Sequence, residues 1–135
     1  MRCTARSGMV LMLAVAACDW GSRVEDFAPS YSPRGARVAV RVRGESTDRV
    51  GELFAVDSIG VVLLEARLTR VAWQRLEAMD VLHMGLDYDI RRGEAVTTEK
   101  RAMLTPLSRF PQGLSGDLLR SVLSKLSQSA LEDVR

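Results

Sequence analysis

The feature that most constrains this chain is the stretch from Arg37 to Met84, where short apolar segments alternate with turn residues. Val38, Val40 and Val42 interleave with Arg37, Arg41 and Arg43, the period-2 pattern of a strand with one buried face. After the turn cluster Gly44 to Asp48 come Val50 to Asp57 and Ile59 to Glu65. Both are rich in β-branched and large apolar residues and bounded by Gly, Asp and Ser, so they predict two further strands.

Leu68 to Met84 reads two ways. Leu68, Val71, Ala72, Leu76, Met79 and Leu82 fall at helical spacing, and Ala, Arg, Gln, Glu and Met favour helix. The same residues also read as a strand Leu68 to Trp73, a turn Gln74 to Glu77 and a strand Ala78 to Met84. We favour the second reading, because three curled strands leave an open edge that two more would close.

With 135 residues, the chain holds one small domain and its appendages. The formal charge of +2 includes Arg2 and Arg6, and without them 17 basic residues face 17 acidic ones. That balance offers no electrostatic case for nucleic acid or for an anionic membrane surface.

The N-terminal residues 1–17 read as an export signal. Arg2 and Arg6 form a cationic start, and Met9 to Ala16 an apolar core too short for a bilayer span. The run ends Val15-Ala-Ala-Cys18, small residues directly before a cysteine. This resembles the bacterial lipobox, and the resemblance implies cleavage between Ala17 and Cys18 and acylation of the Cys18 sulfur. An incidental or buried cysteine is the alternative. Cys3 leaves with the signal, so Cys18 would be the sole cysteine and no internal disulfide can form. An unmodified thiol in an oxidising compartment is a liability, whereas one carrying several acyl chains is a firm anchor, at about 0.8 kcal/mol per buried methylene. The expected location is the cell membrane, lipid-anchored and facing the periplasm or extracytoplasmic space. Residues 18–34, with Gly21, Ser22, Pro29, Ser30, Ser32 and Pro33, read as a flexible tether.

Gly51-x-Leu53-x-x-Val56-Asp57, followed by Ile59 and Val61 to Leu63, resembles the first motif of Sm-like proteins. The resemblance spans about residues 36 to 84 and implies a small five-stranded SH3-like barrel, here over residues 35–90. In such a barrel Gly51 would sit where a strongly bent strand has no room for a Cβ. The Asn expected after the Asp is replaced by Gly60 or Val61, and the second motif's Arg-Gly pair is absent. Those positions form the family's nucleotide pocket, so RNA binding does not carry over. Asp57 then reads as a turn former whose carboxylate accepts backbone N–H groups.

Residues 91–135 read as a helical extension. Gly85 to Gly93 is a loop or short hairpin. Thr97 or Thr98 can cap a helix through Leu104 that stops near Pro106, and Ser115 can cap a second. On that second helix Leu118, Leu119, Val122, Leu123 and Leu126 form one apolar face. It packs either on the barrel or preceding helix, or on a partner protein. The tail Ser127 to Arg135 is polar and reads as fraying. The expected fold is thus mainly β with α: a five-stranded barrel followed by two short C-terminal helices.

No catalytic constellation emerges. His83 lies in the apolar segment Val81 to Met84 and reads as structural, without a Cys or second His to complete a metal site. Asp87 and Asp89 could share one face of a strand, but neither calcium-loop spacing nor a second carboxylate cluster follows, so they read as a solvated loop. Gly113-Leu-Ser-Gly116 is no nucleophile elbow, and Trp73 reads as core. The expectation is a non-enzymatic scaffold or interaction module at the cell envelope, with no cofactor and no metal. The alternative is an Sm-like nucleic-acid binder, which requires that the N-terminus not direct export. An enzyme using Asp87, Asp89 and His83 is a third reading.

Overall fold

A computed structural model describes residues 34–135. The signal segment, Ala17, Cys18 and the tether up to residue 33 lie outside the described residues. The alternating stretch forms strand β1 (Arg37–Val42), and β2 (Arg49–Val56), β3 (Gly60–Leu64), β4 (Leu68–Ala72) and β5 (Leu76–Val81) follow. Residues 68–84 are therefore two strands, with the turn at Trp73 to Arg75 and the second strand starting two residues earlier than the sequence suggested. Leu82 to Gly85 leaves the ladder, and His83 sits exposed in this turn at φ 65°. It is a turn residue, not a buried structural one.

Strands β1 to β5 pair antiparallel, β1 lying between β2 and β5. One face of all five feeds a single core: Val38, Val40 and Val42 from β1, Leu53 from β2, Val61 and Leu63 from β3, Val71 from β4, and Met79 and Val81 from β5. The structure departs from a closed five-stranded barrel. A sixth strand, β6 (Glu132–Asp133), runs parallel to β4, and the sheet order β5-β1-β2-β3-β4-β6 leaves β5 and β6 as unjoined edges. The fold is mainly β: an open six-stranded sheet with two short helices, α1 (Thr98–Leu104) and α2 (Gly116–Lys125).

Both helices start where the sequence placed their caps. The Thr97 side chain accepts a hydrogen bond from the Lys100 N–H and that of Ser115 from the Leu118 N–H, each satisfying an orphan donor of the first turn. A single 3-10 turn carrying Pro106 ends α1, as expected of a residue without an N–H.

Residues 91–135 complete the fold. Leu104 and Leu107 enter the inner core beside Ile90. On the opposite sheet face, Leu123 is buried against Phe54, Ala55, Val62 and Leu68, with Leu119, Val122 and Leu126 packed alongside. This explains why β3 is apolar in both directions: Val61 and Leu63 face inward and Val62 faces the helix, so a continuous apolar run replaces alternation. Four residues of the apolar face of α2, Leu119, Val122, Leu123 and Leu126, thus pack within the chain.

Close approach demands glycine at Gly51 and Gly60. A Cβ on Gly51 would lie 2.9 Å from the Leu64 carbonyl oxygen, and one on Gly60 would lie 2.0 Å from that of Val71. At both, the neighbouring strand's backbone occupies the space a side chain would need.

Candidate functional site

A cleft of about 630 Å³ opens where the end of β1, the β4–β5 turn, the loop 92–96 and α1 meet. This is within the range usual for small-molecule sites. Each wall has a local cause. Trp73 and Gln74 reach it because the β4–β5 turn closes tightly, the Arg75 N–H donating to the Ala72 carbonyl at 2.9 Å. Arg43 arrives because its N–H donates to the Arg75 carbonyl at 2.8 Å, holding the end of β1 against that turn. The loop is pinned from the other side. Lys100 Nζ donates to the carbonyls of Asp87 and Asp89 at 2.7 and 2.9 Å, and lies 3.6 Å from the Glu94 carboxylate.

Trp73 forms the floor. It is 9% exposed and belongs to the inner core, and its indole N–H donates to the Asp57 carbonyl at 3.2 Å. The guanidinium of Arg101 stands over the ring with Cζ 5.0 Å from the centroid, a cation–π arrangement. Arg101 Nε is buried and has no hydrogen-bond acceptor among the described residues.

The charges of the cleft fall into two groups. Arg92 pairs with Glu77 at 3.1 Å. Glu94 is held below the usual carboxylate range, first by the Arg91 N–H it accepts and then by Lys100. Among the described residues Arg43 and Arg101 have no carboxylate partner. The lining as a whole carries three arginines against two glutamates.

No known protein family, characterised protein or solved structure matches this chain. Functional reading therefore rests on the residues themselves.

The residues singled out in sequence are dispersed. Asp57 is a turn former as expected: its Oδ1 accepts from the N–H groups of Ile59 and Gly60, both at 2.8 Å. Its Oδ2 also accepts from Arg70 at 2.9 Å. Asp89 is structural, its carboxylate accepting the Val81 N–H at 2.8 Å where β5 ends. Asp87 and His83 are exposed. Among the described residues no three His, Cys, Asp or Glu side chains converge in a metal-binding group, and no helix is long and apolar enough to cross a membrane.

Sequence reasoning missed Arg43, Arg101 and Gln128. Arg43 reads as one of the three arginines alternating with the β1 valines, and Arg101 falls inside the span of α1 with no motif around it. Gln128 sat in a tail expected to fray. Instead that tail is docked: Gln128 is buried, Glu132 pairs with Arg67 at 2.6 Å, and the Val134 N–H donates to the Arg70 carbonyl at 2.9 Å.

Proposed function

We propose that this chain is a membrane-anchored bacterial lipoprotein, acting as a non-enzymatic scaffold or interaction module at the cell envelope. The observation that carries it is Val15-Ala-Ala-Cys18 at the end of a short apolar run with a cationic start. Membrane lipid is the first partner, held through acyl chains on Cys18. Residues 18–34 then act as the tether and deliver the chain to a fixed corner of the module. At that corner the Gly35 N–H donates to Glu52 Oε1 at 2.6 Å and the Ala36 N–H to the Leu107 carbonyl at 2.8 Å.

The module itself is read as a divergent relative of the SH3-like barrels. Supporting this are five consecutive antiparallel strands around one core, with β1 paired on both sides. A docked C-terminal tail lies at β4, and the Sm-type nucleotide pocket residues are missing. A scaffold of this kind presents surfaces rather than chemistry, and the cleft lined by Arg43, Trp73 and Arg101 is one concave surface it offers.

Mass spectrometry of the mature N-terminus from membranes, comparing the native chain with Cys18→Ala, tests the anchor. The expected result is a lipid-modified Cys18 at the N-terminus, lost together with membrane association in Cys18→Ala. An unprocessed chain recovered from the cytosol would overturn this reading and favour the nucleic-acid-binding one.

A further inference from the structure

We propose that the cleft above Trp73 binds a carboxylate presented by a short acidic peptide, with Arg43 and Arg101 as its two recognition groups. The inference goes beyond the membrane anchor and does not depend on it.

Arg101 is the first reason. Its guanidinium is fixed over the Trp73 ring at 5.0 Å, and its buried Nε has no acceptor. Burying a charged donor without an acceptor is costly, and the stack on Trp73 satisfies the face of the guanidinium but none of its in-plane N–H groups. A planar guanidinium held rigid by stacking, its terminal Nη groups unpaired among the described residues, suits a carboxylate that accepts two parallel hydrogen bonds.

Arg43 is the second. It is exposed on the same cleft, without an ion pair, while the other cation on the rim, Arg92, is neutralised by Glu77. Glu77 is paired with Arg92 and Glu94 with Lys100, so Arg43 and Arg101 are the two cations of the lining left without a carboxylate among the described residues, and an anionic group complements them.

The size of the cleft selects a peptide over a bare small acid. About 630 Å³ is far more than a carboxyl group fills, and Leu76 and Val96 supply apolar wall beside the arginines. A site with two placed cations and an apolar wall orients a ligand that has both an anionic group and a chain.

The experiment is calorimetric titration of the full-length chain with three short peptides. One is capped at both ends with a central glutamate, one is uncharged except for a free C-terminal carboxylate, and one is capped with glutamine in place of glutamate. Saturable binding of a carboxylate peptide with no binding of the glutamine peptide is expected, and the two carboxylate arms tell a side chain from a chain terminus. Arg101→Gln and Arg43→Gln should each weaken binding about tenfold, the loss of one charged hydrogen-bonding partner. Lys125→Gln, at the far end of α2, should leave it unchanged. Arg43 makes no side-chain bond among the described residues, so Arg43→Gln keeps the test valid even if Arg101→Gln unfolds. The proposal is overturned if all three peptides bind alike, if none binds, if Arg43→Gln binds as the native chain does, or if inorganic phosphate binds more tightly than either carboxylate.

Discussion

Gln128 holds Leu68 by both of its backbone polar groups. The Leu68 N–H donates to Gln128 Oε1 at 2.8 Å, and Gln128 Nε2 donates to the Leu68 carbonyl at 2.7 Å and to that of Ala130 at 2.7 Å. The amide side chain thus stands where a neighbouring strand's backbone would be, at the start of β4, and β6 continues the pairing from Thr69 onward. An edge that would otherwise expose unpaired donors and acceptors is covered by the chain's own tail.

Replacing Gln128 by Ala should therefore cost about 2 kcal/mol, because Leu68 is left with two buried groups and no partner. Glu in its place should cost more, since its carboxylate faces two carbonyl oxygens. Chemical denaturation measures the loss. Amide exchange of Val134, which donates to Arg70, should speed up in both variants as the tail detaches.

Asp57 closes the β2–β3 turn through Ile59 and Gly60 and pairs with Arg70, whose own Nε lacks an acceptor. Asp57→Ala should destabilise the fold by about 2 kcal/mol. Asp57→Asn keeps the Oδ1 acceptor and should recover roughly half of that. Thermal unfolding of the three proteins side by side decides it: equal losses for Ala and Asn would show that the Arg70 pair, not the turn, carries the effect.

Glu52 anchors the entry of the chain and the segment after α1 together. It accepts from Arg109 Nε at 2.6 Å and Nη2 at 2.7 Å, and from the Gly35 N–H. Arg109 also stands over Phe54, its Cζ 5.5 Å from the ring. A double-mutant cycle of Glu52→Gln and Arg109→Met should return a coupling of about 1–3 kcal/mol. Independence of the two substitutions would refute the pairing.

Acid should weaken the β1–β2 turn. Glu45 is held below its ordinary value near 4.5 by the Arg49 guanidinium, which it binds in two-fold fashion, and Asp48 lies below 3.8 through its bond to Arg41. A carboxylate lowered in this way contributes stability that is fully present above its unfolded value and is lost as pH falls through the folded one. Glu45→Gln should thus be less stable than the native chain at neutral pH, and the gap should shrink once pH drops below about 4.5. Denaturation midpoints across that range measure it.

The strands were legible because their cause is local. Alternation in β1 and the apolar run of β3 need only a neighbouring sheet and a covering layer, and the two helices begin at capping residues that act within one turn. Residues 68–84 were the hard case, since Leu68, Val71, Leu76 and Met79 satisfy a helical and an extended period together. The β1–β5 ladder resolves it: Val40 pairs with Met79 and Val38 with Val81, contacts between residues far apart in the chain. The cleft was illegible for the same reason. Arg43, Trp73 and Arg101 belong to three separate segments, and each alone has an ordinary local explanation.

What the sequence determined on its own was the set of elements: where strands alternate, where Gly and Asp turn the chain, where Thr97 and Ser115 start helices, and that α2 has one apolar side. Tertiary structure alone decided where those elements went. It placed α2 on the outer face of β3, left the sheet open between β5 and β6, and made a strand of Glu132 and Asp133, residues with little intrinsic preference for one. Periodicity and capping act over a few residues and are written in local spacing. The partner of an amide such as Gln128 is chosen by which backbone groups remain unpaired once the sheet has formed, and no local pattern records that.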